Sequence, residues 1–170
     1  MDGTNATGEL VIPENVEYEG NSYAITMIVD MAFDGKSLLF GNLVIPNTVT
    51  YIGAQAFYNC SGFTGALTIP ESVTTIRDLA FARTGFSTLI FNAVNASYNL
   101  WYSDSPFTGC TFATLNIGEN VQKVPSFRGL STLSGVLTIP SSVVRIDDNA
   151  FYGTSLLADR KSGSAGMPRP

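Results

Sequence analysis

The sequence predicts a mainly-β solenoid, a right-handed superhelix of short strands and turns in six coils of about 20–33 residues. Three observations predict it. The stretch "LTIPESVTTIRDLAF", residues 67–81, returns at 137–151 as "LTIPSSVVRIDDNAF", with ten of fifteen letters identical and no gap. The triplet Leu-x-Ile recurs along the chain, and a phenylalanine closes each unit. These residues, Phe33, Phe57, Phe81, Phe107, Phe127 and Phe151, stand 24, 24, 26, 20 and 24 apart, a period proper to stacked repeats.

Each part of the unit has a physical reason. The triplets Leu10-Val11-Ile12, Leu43-Val44-Ile45, Leu67-Thr68-Ile69, Leu115-Asn116-Ile117 and Leu137-Thr138-Ile139 begin the coils, and Leu89-Ile90-Phe91 is the same signal with Phe last. In a strand the outer two side chains point to one face and the middle one to the other. Pro13, Pro46, Pro70 and Pro140 follow directly, with Asn92 and Gly118 in the other copies. Proline has no N–H to give a ladder, so it ends the strand and turns the chain. A second apolar pair comes next: Val49 and Ile52, Val73 and Ile76, Val121 and Val124, Val143 and Ile146. Five or six residues beyond each closing Phe stands a last apolar knob, Leu39, Phe63, Phe86, Phe112, Leu133 or Leu156. One coil cannot shield these side chains from water. Coils stacked about 4.8 Å apart bury them in one core.

Some units depart from the pattern. The first holds an excess that reads as a hairpin, "VEYEGNSYAI", with Gly20-Asn21 at its turn. The fourth contains "NAVNASYNLWYSDSPF" and loses the Val-x-x-Ile pair, and the fifth is short. After Leu156 no seventh triplet follows. The expected organisation is one solenoid domain over 1–158, with coils starting near 10, 43, 67, 89, 115 and 137, and a polar tail or linker over 159–170. No polar cap covers the last coil, so the array either continues in a parent protein or pairs end to end with another copy.

Composition narrows the function. Hydrophobic residues make up 45% and charged ones 14%, which marks an ordered chain. The net charge of −5 disfavours nucleic acid, whose phosphates need a basic face. Seven acids, Asp2, Glu9, Glu14, Glu17, Glu19, Asp30 and Asp34, precede the first base, Lys36. They read as a solvated end, or else as a site for a cation or a basic partner. No apolar run approaches the roughly 20 residues that span a bilayer. The opening residues lack the pattern of a secretion signal, so the chain is either cytoplasmic or a fragment without one.

The stretches "LTIPESVTTIRDLAF", "LVIPNTVTYIGAQAFYNC" and "LTIPSSVVRIDDNAF" resemble the BspA-type leucine-rich repeat of bacterial surface proteins, over about residues 10–157. The resemblance implies a secreted or surface-anchored bacterial protein that attaches to host matrix proteins or other cells and has no enzymatic activity. It implies no catalytic residue, metal or cofactor, because the motif letters are core letters. The motif cysteine survives as Cys60 and Cys110, with Lys36, Thr84, Leu130 and Thr154 in the other copies.

The chain has no histidine, which removes the usual general base and most zinc sites. Asp147 and Asp148 are adjacent and read as solvated turn residues rather than a catalytic pair. Cys60 and Cys110 occupy equivalent places two coils, or about 10 Å, apart, too far for a bridge, so two free, largely buried thiols are expected. Two outward rows are candidate binding surfaces. The first is Val11, Val44, Thr68, Ile90, Asn116 and Thr138. The second is Tyr51, Thr75, Lys123 and Arg145, which includes the anchor types Tyr and Arg. The fourth-coil insertion adds Tyr98, Trp101 and Tyr102, which either meet a protein or glycan partner or fold back over the core. The competing reading is a spacer that recognises nothing itself.

Overall fold

In the computed structural model the described residues, 6–99 and 105–160, form a β-solenoid with no helix. Its strands are β1 (Gly8–Glu9), β2 (Asn15–Tyr18), β3 (Asn21–Ala24), β4 (Met27–Ile28), β5 (Leu39–Val44), β6 (Tyr51–Ile52), β7 (Phe63–Ile69) and β8 (Thr75–Arg77). They continue as β9 (Thr88–Phe91), β10 (Ser97–Asn99), β11 (Thr114–Ile117), β12 (Lys123–Val124), β13 (Ser134–Ile139), β14 (Arg145–Ile146) and β15 (Ser155–Arg160). The long first sheet runs β1-β5-β7-β9-β11, all parallel, with Leu43, Leu67, Leu89 and Leu115 in one register row. A second sheet, β4-β6-β8-β10, takes one strand from each of the first four coils, after the turn that ends the Leu-x-Ile segment.

The burial pattern follows the alternation. Leu67 and Ile69 are buried, and Thr68 between them is half-exposed. The closing phenylalanines stack in a column, with ring centroids 5.0 Å apart for Phe33–Phe57, 5.2 Å for Phe57–Phe81 and 5.7 Å for Phe81–Phe107. A third row of hydrogen bonds supports that column. The N–H of Phe33 donates to Ala56 O, that of Phe57 to Ala80 O and that of Phe81 to Pro106 O.

The irregular coils have identifiable causes. The residue two before the closing Phe takes a left-handed conformation at Met31, Gln55, Leu79 and Asn149, with φ of 55–57°. In the fifth coil Pro125 holds that place. Its ring fixes φ near −65°, so the left-handed corner cannot form and the coil is short. The column is disturbed there: Phe107–Phe127 opens to 6.0 Å and tilts by 33°. The fourth coil rebuilds its lost apolar pair. Ala93 and Ala96 are buried, and β10 pairs with β8 so that Tyr98 stands opposite Ile76.

Two expectations shift. The hairpin β2–β3 forms, but Tyr18 pairs with Asn21, which places the turn at Glu19-Gly20 rather than Gly20-Asn21. Both turn residues have positive φ, 50° and 77°, the conformation of a two-residue turn whose twist suits a hairpin. Beyond Leu156 the chain pairs once more: β15 runs to Arg160 beside β13, with Leu137, Thr138 and Ile139 opposite Ala158, Asp159 and Arg160. No Leu-x-Ile signals this strand, because backbone pairing does not require the core letters.

Candidate functional site

The outward row of the second sheet is built by register. Met27, Tyr51, Thr75 and Ser97 are successive partners across β4, β6, β8 and β10, and Lys123 pairs with Arg145 across β12 and β14. The four residues expected as one ladder therefore fall in two sheets. Between the sheets the N–H groups of Gln122 and Lys123 both donate to Val94 O, at 2.9 and 3.1 Å. Lys123 Nζ also reaches Ser97 Oγ at 3.4 Å. The row thus continues from Met27 to Arg145 across the break.

Its electrostatics centre on Asp147. One carboxylate oxygen lies 3.2 Å from Lys123 Nζ, and the other accepts from Arg145 Nε at 3.0 Å. Asp147 is therefore not the solvated turn residue that its sequence context suggests, whereas Asp148 is exposed. The Arg145 side chain remains 70% exposed, and an ion pair of that kind contributes at most about 1 kcal/mol. Arg145 can exchange this partner for another at little cost.

Tyr51 is held from beneath. Its hydroxyl accepts from Arg77 Nη1 at 3.2 Å, and Arg77 is buried with Asp78 beside it, the charged atoms 3.9 Å apart. Arg77 has no counterpart in the coil before, where Gly53 holds the same place, so the repeat does not announce it. The available signal was a charged residue directly after the inward Ile76, at the end of a buried strand.

Tyr98 faces the core rather than solvent. Its ring meets the edge of Phe107 at 6.2 Å, and its hydroxyl is enclosed with no hydrogen-bond partner among the described residues. Burial, and secondarily the charge of Asp147, push the phenol well above its ordinary range. A buried unpaired hydroxyl costs about 1–3 kcal/mol, so Tyr98→Phe is expected to raise the unfolding free energy by roughly 1 kcal/mol in urea titrations. A destabilised variant would mean that the hydroxyl has a partner in solution. Trp101 and Tyr102 lie outside the described residues.

In the first row Val44, Thr68, Ile90 and Asn116 are in register, and the row carries no charge. Its aliphatic members Val11 and Val44 are open, at 82% and 60% exposure. Both cysteines are free and buried. Cys60 Sγ donates to Phe33 O at 3.0 Å and Cys110 Sγ to Phe81 O at 2.9 Å, each tying its coil to the one before. Burial raises both thiol pKa values, that of Cys60 to about 11, which leaves them protonated and unreactive at neutral pH. Among the described residues no three of His, Cys, Asp or Glu converge to hold a metal ion, and no helix is long and apolar enough to cross a membrane.

No curated protein matches the chain. Two solved structures share its shape in part. A leucine-rich cell surface protein from Faecalibacterium prausnitzii is 23% identical, with a TM-score of 0.49, over 93% of this chain and 49% of that one. A leucine-rich-repeat protein from Bacteroides ovatus is 19% identical, with a TM-score of 0.47, over 94% of this chain and 46% of its own. The chain spans about half the length of each of these proteins. A family model matches residues 26–104 and 101–159, the stretch that holds the phenylalanine column, the second outward row and all of the first row but Val11. Matched over more than half of its length, the chain belongs to the family of the BspA-type leucine-rich-repeat region.

Proposed function

We propose that this chain is a non-enzymatic binding module of a bacterial cell-surface protein, one that attaches to host matrix proteins or to other surface proteins through the outward row of its second sheet. The observation that carries this reading is the row itself. Tyr51, Thr75, Lys123 and Arg145 project from a rigid stack, and a row mixing an aromatic side chain with cations is the composition of a protein interface. Leucine-rich solenoids generally bind proteins, and the absence of histidine fits a role without general-base catalysis. Membership of the family supports a surface location.

A spacer role is the second reading. The link of Lys123 and Arg145 to a single Asp147 favours it, because part of their charge is already answered within the chain. Binding to a panel of matrix proteins, mucins and glycans separates the two. The module is expected to bind at least one of them saturably. The Tyr51→Ala/Lys123→Ala/Arg145→Ala variant should then lose roughly tenfold or more in affinity, the loss of two or three interface anchors. Full affinity in the variant would move the site to the fourth-coil insertion, and no binding at all would favour the spacer.

A further inference from the structure

A second surface, away from the row just described, carries its own chemistry. Where the first sheet meets the proline turns, a groove of 410 Å³ is lined by Glu9, Leu10, Val11, Ile12, Glu14, Asn42, Val44 and Pro46. Across Val44 it meets another of 590 Å³, to which Thr68, Pro70, Glu71 and Asn92 contribute. No basic residue lines either groove. Val11 in the first groove and Val44, which both grooves share, form an apolar floor open to water.

Three carboxylates flank that floor. None of Glu9, Glu14 and Glu71 forms an ion pair among the described residues. Two are held in place: Glu71 Oε1 accepts from Asn120 Nδ2 at 2.8 Å, and the backbone of Glu14 is fixed by Ile25 N–H at 2.8 Å. The groove lies in the most acidic part of the molecule, since every charge before Lys36 is negative. A neutral apolar partner would cover these charges without answering them, and an acidic one would be repelled.

We infer that this groove is a docking site for a cationic, extended polypeptide segment of a partner protein, with aliphatic side chains between its basic residues. Glu14 belongs to the first coil and Glu71 to the third, a separation of about two rungs or 10 Å. An extended chain covers that distance in roughly three residues. In a polyproline II conformation, with three residues per turn and about 3.1 Å rise, a basic residue at every third position recurs on one face and meets the carboxylates in turn, while the intervening aliphatic groups settle on Val11 and Val44. The carboxylates supply orientation and choice of partner, and the apolar floor supplies desolvation.

The probe is a fluorescent nonapeptide of three Lys-Val-Ser units, amidated at its end, with Glu-Val-Ser and Lys-Ser-Ser nonapeptides as controls. Fluorescence anisotropy against the whole chain should show saturable binding of the Lys-Val-Ser peptide and markedly weaker binding of both controls. The Glu9→Gln/Glu14→Gln/Glu71→Gln variant should bind it about tenfold more weakly, and 0.5 M salt should weaken it similarly. The second-sheet variant should bind it unchanged, which separates this surface from the proposed attachment row. Failure to bind, binding unaffected by the Gln substitutions, or equal binding of the acidic peptide would each overturn the proposal. Binding that emerges only after removal of residues 161–170 would also overturn it, by identifying the chain's own basic end as the occupant.

Discussion

Phe81→Ala is expected to lower the unfolding free energy by about 3–5 kcal/mol, the loss of a fully buried aromatic side chain plus the cavity it leaves. The site cannot collapse to fill that cavity. Phe57 stacks on one face of the ring at 5.2 Å and Phe107 on the other at 5.7 Å, and the coils above and below are fixed by backbone hydrogen bonds. The cost should therefore lie toward the upper part of the range. Thr68→Ala, at a half-exposed position of the first sheet, should change stability by less than about 1 kcal/mol. Urea unfolding of the two variants beside the parent chain measures both. Equal shifts of the midpoint would contradict the assignment of inward and outward faces.

Gly85→Ala should have a comparable effect for the opposite reason. A methyl group added at Gly85 would stand 2.6 Å from Phe63 O and 2.7 Å from Ser61 O, both backbone atoms of the preceding coil. Neither can swing aside, because Phe63 opens β7, and Ser61 belongs to the turn that leads into it. The two coils must separate locally, at the expense of the Phe63–Phe86 stack, whose centroids are 4.7 Å apart. Overpacking of this kind costs about 1–3 kcal/mol and more where the neighbour is rigid, so at least 2 kcal/mol is expected. Gly85 has no positive φ, and the cost is steric rather than conformational. A variant as stable as the parent would show that the coils are less closely spaced in solution than they are here.

The regular part of this architecture is legible in the sequence because the same burial problem is solved in every coil. Leu43, Leu67, Leu89 and Leu115 are core letters at a fixed place, and the structure sets them in one row. What escapes is whatever the backbone can do with different side chains. The left-handed corner is occupied by Met, Gln, Leu and Asn in four coils, so no residue type announces it. Pro125 does announce its absence, but only once the corner is known to need a positive φ. Tyr98 is harder still. An aromatic residue in an insertion reads equally as an exposed anchor or as a cover for the core, and only the structure shows that the Tyr98 ring fills the space of the lost apolar pair, opposite Ile76.

The outward rows are legible as positions, not as electrostatics. Alternation places Tyr51, Thr75, Lys123 and Arg145 on the outer side. It does not reveal that Asp147 joins the two cations or that Arg77 lies under the Tyr51 hydroxyl, because both contacts cross between coils. Glu9, Glu14 and Glu71 are likewise separated in sequence and become one lining only when the coils stack.

Hydrogen exchange of the chain, free and saturated with the matrix protein it binds best, tests the central claim most directly. Attachment through the second sheet predicts slowed exchange in β6, β8, β12 and β14, with β7 and β9 unchanged. Protection confined to β7 and β9, or no matrix protein able to alter exchange anywhere, would contradict it.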